Sequence, residues 1–289
     1  MQTRELNIIW FVPLPLAILA EHQGIYEGRG LLVSQTLTRS SDQQFEALAS
    51  GAADAAITAM DNVFLWNRRG IIDDLAIAAQ MERTTPLALV ARPTIERIEQ
   101  LRGGALLVDS PVNGFVVVLR AMLQEAGIGV DEYRMLPAGG VRERFEALLA
   151  GEGDATLLGP PFDTGAVARG CTVLGSANAL YPDFPGQGLV ARKSVLTRKS
   201  PEFRTWLSML AEARAWSKDN PAAALSLLAN RGFPEIVTRA MLAAVPESFA
   251  VSRGGTTLLI GQRRKLGLPG ADVDHETLVD ERLFEASIP

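Results

Sequence analysis

Two stretches of equal length lie one hundred residues apart and align without a gap: Phe45 to Gly70, FEALASGAADAAITAMDNVFLWNRRG, and Phe145 to Gly170, FEALLAGEGDATLLGPPFDTGAVARG. Nine positions are identical: Phe45/Phe145, Glu46/Glu146, Ala47/Ala147, Leu48/Leu148, Gly51/Gly151, Asp54/Asp154, Ala55/Ala155, Arg69/Arg169 and Gly70/Gly170. Only two of the nine are alanine, so a shared richness in alanine does not account for the match. Each copy carries one plan. An amphipathic helix stops at a glycine, which suits the left-handed position that closes a helix. A short apolar run then reads as a buried strand and leads into a further helix. A helix–strand–helix unit used twice predicts two lobes built alike.

The rest of the chain fits that frame. Leu6 to Phe11 reads as a buried strand, Pro13 and Pro15 as the first turn of a helix running to about Gln23, and Leu31 to Leu37 as a second strand. The apolar run Asn7 to Leu19 is broken by two prolines and followed by Glu21 and His22, so it belongs to the fold and is not read as a leader. Ser41 with Gln44 has the spacing of a capping box, Ala53 to Ala59 is a third strand, and Asp61 stands where it could cap the next helix. Leu75 to Gln80 and Leu87 to Arg92 follow as strands, with Pro86 marking an edge or a crossing.

From Thr94 the rhythm restarts, with a short helix from Ile95 to Leu101, strands at Ala105 to Val108 and Tyr133 to Leu136, and Thr172 to Leu174 closing the lobe. The tetrapeptide LVAR occurs at Leu89 to Arg92 and at Leu189 to Arg192, which reads as two crossover strands running near each other. Beyond Lys193 the pattern is helical: Ser200 to about Ser217, Pro221 to Ala229, a helix from Pro234, then Thr256 to Leu266 and Glu276 to Ala286. Alternating strands and helices give an α/β fold of mostly parallel sheets flanked by helices. The expected division is a discontinuous first lobe at 1–92 and 184–289, a second lobe at 93–183, and hinge strands near 87–92 and 188–192.

Composition removes several functions. A net charge of −5 gives no electrostatic reason to expect nucleic acid or an anionic membrane as partner. Cys171 is the only cysteine, and His22 and His275 are the only histidines, so no intrachain disulfide and no zinc or iron site rich in Cys and His is expected. No segment is apolar for long enough to span a bilayer. There is no GxxxxGK, no GxGxxG and no GxSxG. Neither histidine falls at a strand end, so no catalytic residue and no cofactor is assigned.

In open α/β sheets, ligands bind beyond the carboxyl ends of the strands. Those ends supply the candidate site: Trp10 and Phe11, Ser41, Met60 and Asp61, and Thr85 in the first lobe; Ser110, Asn113 and Gly114, Gly140 and Arg142, and Pro160 and Phe162 in the second. Several of these turns open helices, whose free N–H groups favour an anionic or carbonyl group. Trp10 is placed to stack on a ring, Asp61 to accept from an amine or ring N–H, and Arg142 to clamp an anion. Asp61 and Asp109 are the candidate acid–base groups should the chain be an enzyme. The repeated residues read as scaffold, and the mismatch of Met60-Asp61-Asn62 against Pro160-Pro161-Phe162 points at the cleft.

The phrases FEALASGAADAAIT, PLPLAILAEHQGIYEGRGLLV and IERIEQLRGGALLV resemble solute-binding proteins of ABC transporters. They are most similar to the sulfonate, nitrate, taurine and thiamin-pyrimidine branch with the type II periplasmic-binding fold. The resemblance covers about Leu6 to Arg192. It implies two lobes that capture a small solute in the cleft between them, a transporter permease as partner, no enzymatic activity, and a periplasmic location for a monomer. The family's helix-glycine-strand phrase corresponds to Gly51, Asp54 and Asp61, and in the second lobe to Gly151, Asp154 and Pro160. Its ligand-contacting turns map onto Trp10, Ser41, Asp61, Ser110, Asn113 and Gly140. No signal peptide or lipid-attachment cysteine is expected near the start, which leaves a cytoplasmic, cofactor-free lyase on the same fold as the alternative. The pyrimidine synthases of this fold use a cysteine cluster and an iron-binding histidine, which Cys171 alone does not supply.

Overall fold

The computed structural model describes residues 4–112 and 114–285. The first half of the duplication comprises β1 (Arg4–Trp10), α1 (Pro15–His22), β2 (Leu31–Leu37), α2 (Ser41–Ser50), β3 (Ala55–Ala59), α3 (Asn62–Trp66), β4 (Leu75–Gln80) and β5 (Ala88–Ala91). The second comprises β6 (Ala105–Val108), α4 (Val116–Glu125), β7 (Arg134–Pro137), α5 (Val141–Leu149), β8 (Ala155–Leu158), α6 (Phe162–Val167), β9 (Thr172–Ser176), α7 (Ala177–Leu180) and β10 (Gln187–Arg192). The tail is helical: α8 (Lys193–Arg198), α9 (Ser200–Asp219), α10 (Pro221–Asn230), α11 (Glu235–Ala243), α12 (Arg253–Lys265), α13 (His275–Leu278) and α14 (Arg282–Glu285). Among the described residues no helix is long and apolar enough to cross a membrane.

The strands form two five-stranded sheets with orders β2-β1-β3-β10-β4 and β7-β6-β8-β5-β9. Within each sheet the first three strands are parallel and the fourth is antiparallel to both its neighbours. The fourth place is filled by exchange. β5, from the first half, sits in the second sheet, and β10, from the second half, sits in the first. This corrects the reading of the two LVAR strings as neighbouring crossovers: they lie in different sheets and occupy equivalent places. Each even breaks register against its outer neighbour at the same point, between Leu89 and Val90 in one sheet and between Leu189 and Val190 in the other. The crossings are the segments that lead into these strands, 81–87 and 177–186. They are tied by Ala177 N–H to Leu87 O at 2.9 Å and by Met81 N–H to Gln187 O at 2.9 Å. Pro86 falls on one of them, where it withdraws no N–H from a ladder.

The nine repeated positions explain themselves almost completely. Phe45, Leu48 and Leu148 are buried, and Phe145 packs at the edge of the second lobe's core. Arg69 lies 4.6 Å over the Phe45 ring and Arg169 lies 5.6 Å over the Phe145 ring, the same cation–π contact made twice. Gly51 and Gly151 take φ of 78° and 75°, which a side chain would oppose. Asp54 and Asp154 each bind the first strand of their own sheet: Asn7 N–H donates to Asp54 Oδ2 at 2.8 Å and Ala105 N–H to Asp154 Oδ2 at 2.7 Å. Nothing in the structure explains the shared, exposed Glu46 and Glu146.

Three helix expectations change. The cap of α2 is Ser40, whose side chain accepts from Asp42 N–H. Ser41 points across the cleft, and Gln44 is buried, donating to Ile57 O in the middle of β3 at 2.9 Å and to Ile9 O of β1 at 3.4 Å. The segment from Ile95 shortens to a 3-10 turn at Ile98–Leu101. The last helix divides into α13 and α14, and Ala286 lies outside the described residues. The tail does more than complete the first lobe, because α12 also packs against α4 of the second.

Candidate functional site

The carboxyl ends of the two sets of parallel strands meet, so the turns after them face one another across a cleft. Two contacts cross it in opposite senses. From the first lobe, Ser41 Oγ at the first turn of α2 donates to Asp109 Oδ2 at 2.9 Å. From the second, Gly114 N–H donates to Asp61 Oδ2 at 3.0 Å. Gly114 has φ +73°, and a Cβ there would stand 3.1 Å from Asn62 Oδ1, so glycine allows the turn to come this close.

Asp61 was expected to cap α3, but its side chain makes no capping bond. Instead Arg263, 202 residues later on α12, grips both carboxylate oxygens, Nε to Oδ1 and Nη2 to Oδ2, each at 2.6 Å. The pair is buried, with side-chain exposures of 0% and 3%. The guanidinium is spoken for on every side: it lies 5.0 Å over the Phe64 ring, donates to Pro269 O at 2.5 Å, and reaches Val112 O of the second lobe at 3.4 Å. Burial pushes the Asp61 carboxyl up, and the hydrogen bonds and charge of Arg263 work against it. Arg263 had no local signal in the sequence beyond lying three and seven residues after Ile260 and Thr256, on the buried stripe of its helix.

The second charged centre belongs to α5. Arg144 bonds Leu157 O at 2.7 Å, and burial lowers its guanidinium to about 10 while the charges of Asp109 and Glu143 pull it back up. Asp109 is raised by burial, opposed by the Ser41 hydrogen bond and the Arg144 charge. Gly140 precedes α5, and a Cβ on it would stand 2.9 Å from Glu143 Oε2 and 3.6 Å from Arg39 O of the first lobe.

The remaining candidates divide. Trp10 is 1% exposed and packs with Leu6, Ile8 and the tail helices on the far side of the first sheet. It is therefore not offered to the cleft as a stacking surface: side chains alternate along a strand, and Trp10 shares the face of Leu6 and Ile8. Met60 is also core, at 2%. Phe11 is half-buried just past β1. Thr85 lies in a crossing, donating to Glu82 Oε2 at 2.7 Å. Phe162 packs on Phe145 with centroids 5.3 Å apart, and the exposed Arg142 stands 5.8 Å from the Phe162 ring. Pro160 and Ser110 are half-buried in their turns, and Asn113 lies outside the described residues. The polar lip of Asp61 and Asn62 meets Gly114. Among the described residues no group of three or more His, Cys, Asp or Glu side chains could hold a metal ion.

A family model described as NMT1/THI5 like matches residues 15–224. No curated protein matches the chain. Solved structures share the fold at low identity. The alkanesulfonate-binding protein SsuA from Xanthomonas axonopodis pv. citri bound to MOPS is 18% identical, with 97% of this chain and 99% of that one covered and a TM-score of 0.79. The periplasmic aliphatic sulphonate binding protein SsuA from Escherichia coli is also 18% identical, covering 96% and 92%, with a TM-score of 0.74. The periplasmic nitrate-binding protein NrtA from Synechocystis PCC 6803 is 14% identical, covering 98% and 87%, with a TM-score of 0.75.

Proposed function

The chain belongs to the NMT1/THI5-like family, and on that premise we propose that it is the solute-binding component of an ABC importer, a binding protein without catalytic turnover. A monomer works outside the inner membrane and hands its solute to a permease. The observation that carries the reading is the facing of two sheets, carboxyl end to carboxyl end, with Ser41 opposite Asp109 and Asp61 opposite Gly114. The likeness of fold to sulfonate- and nitrate-binding proteins supports the role. Opening and closing turn on the two crossings, 81–87 and 177–186, a hinge motion about a few connecting residues.

The solute is a small organic anion with a ring. Arg144 supports the charge, because burial makes its cation costly and an anion beside it would recover that cost. Gly140 and the N–H groups opening α5 supply neutral donors beside it. Phe162 and Phe11 supply apolar surface in place of Trp10.

Thermal-shift screening against sulfonates, aromatic acids and pyrimidines tests the proposal, with native mass spectrometry of whatever co-purifies. A true ligand at a hundred times its Kd should stabilise the chain by about 2.7 kcal/mol, and Arg144→Met should lose that gain. Chemical turnover of a bound compound would overturn the reading in favour of an enzyme. Silence from all three classes would count against the ligand chemistry.

A further inference from the structure

We infer that the first lobe carries a second binding site, remote from the cleft, for a small zwitterion with an ammonium group at one end and a carboxylate at the other. The inference goes beyond the importer reading and does not rest on it.

The site is a groove of about 650 Å³ walled by the start of α8, the start of α12, α13 and the turn into α14. A volume of that size is typical of small-molecule pockets. Its position follows from the sheet. β10 runs antiparallel to β3 and β4, so Arg192 at its end pairs with Leu75 at the start of β4, and Lys193 N–H donates to Asp74 O at 2.7 Å. This is the end of the sheet away from the cleft. The tail reaches the same place along the outer edge of β4, where Val279 pairs with Ile77 and Asp280 N–H donates to Ile77 O at 3.0 Å.

Most of the charge lining the groove is cancelled within the chain. Arg282 forks onto Asp280, Nε to Oδ1 at 2.8 Å and Nη2 to Oδ2, and gives Nη1 to Thr197 Oγ1 at 2.8 Å. Arg253 meets Glu276 at 2.7 Å. Among the described residues, two lining charges of opposite sign are left over. The Lys193 ammonium has three donors, and its hydrogen bond goes to a backbone oxygen, Thr277 O at 3.3 Å, with no carboxylate in an ion pair. Glu281, 60% exposed, has His275 beside it, Oε1 to Nε2 at 3.7 Å, too long for a hydrogen bond.

His275 makes that gap a recognition feature. Its ring is buried, with Nδ1 standing 2.7 Å from Thr256 Oγ1. The Thr256 hydroxyl donates back along its helix to Arg253 O at 3.1 Å, and so accepts from Nδ1–H. That tautomer leaves Nε2 an acceptor beside the Glu281 carboxylate. Two neighbouring acceptors, one of them charged, suit an ammonium, which has several N–H donors and the opposite charge. Lys193 supplies the matching partner for a carboxylate. An amine alone or an acid alone would satisfy one side only.

The chain's two histidines make the test specific to this site. NMR follows the ring signals of His275 and His22 in the full-length protein. It is titrated with glycine, γ-aminobutyrate and ε-aminocaproate, zwitterions of rising length, and with butylamine and butyrate as single-charge controls. At least one zwitterion should shift the His275 signals saturably and leave His22, exposed at the end of α1, in place. Each control should bind about tenfold more weakly or worse, having lost one charged contact. Glu281→Gln and Lys193→Met, at positions open to solvent, should each weaken binding by about tenfold or more, and Arg144→Met in the cleft should not. No saturable His275 shift with any of the three, an equal response to the controls, or Glu281 and Lys193 variants that bind like the wild type would overturn the inference. Loss of the shift in a folded Arg144→Met would assign the zwitterion to the cleft and overturn it as well. A failed search for the cleft solute would sink the importer reading and leave these signals unchanged.

Discussion

Asp54 and Asp154 occupy equivalent positions, and the structure ranks their removal. Asp54→Ala deletes a charged acceptor from Asn7 N–H at 2.8 Å and strands that donor, a loss of about 2–3 kcal/mol. It also breaks the pair with Lys199 Nζ at 2.7 Å, where the carboxylate is 7% and the ammonium 24% exposed, adding about 1 kcal/mol. Asp154→Ala costs the same first amount through Ala105 N–H at 2.7 Å. Its cation, however, is Arg92, 51% exposed, and that pair adds well under about 1 kcal/mol. The order should be Asp54→Ala, about 3–4 kcal/mol, above Asp154→Ala, about 2–3 kcal/mol. Urea unfolding measures both, and calorimetry should show falls in Tm of about 2 °C per kcal/mol for a chain this size. Should the lobes melt separately, each variant should move its own transition. Lys199→Met should remove most of the difference, whereas Arg92→Met should change little. Losses under about 1 kcal/mol, or Asp154→Ala costing more than Asp54→Ala, would refute the assignment of these aspartates as ties to the first strand of each sheet.

Two further outcomes follow from the crossings. Gly186→Ala would drive a Cβ into that of Glu82 and to 2.7 Å from the Glu82 carbonyl. Overpacking of this kind should cost about 1–3 kcal/mol in urea unfolding, and an unchanged midpoint would show that the crossing has room to give. Burial raises the Glu82 carboxyl above its ordinary 4.5, outweighing the hydrogen bonds from Thr85 and Gln187. Its contribution to stability is therefore full below pH 4.5 and is lost as pH rises through the folded value. Glu82→Gln should flatten that part of the pH–stability curve; an unchanged slope would show that another group controls it.

Much of this was legible in the order of residues because it depends on local chemistry. A glycine that must take positive φ, a helix stripe and an apolar strand are settled within a turn or a pleat. Both sheets, the Gly51 and Gly151 stops and the strand ends that border the cleft could therefore be placed. Local patterns misassigned residues whose partners are distant. Ser41 and Gln44 have the spacing of a capping box, yet one crosses the cleft and the other bonds the backbones of β1 and β3, because Ser40 already caps the helix. Trp10 reads as a stacking ring at a strand end, but the alternation of β1 buries it.

The duplicated phrases by themselves determined that two like lobes form, because burying the same helix–strand–helix face twice has one economical solution. Only the tertiary structure decided which sheet takes each LVAR strand, since an antiparallel insertion leaves the strand's own apolar pattern unchanged. It also decided the partner of Asp61. A buried carboxylate requires a cation, but no rule of spacing selects Arg263 from 202 residues away. That choice is made by the packing of α12 across both lobes.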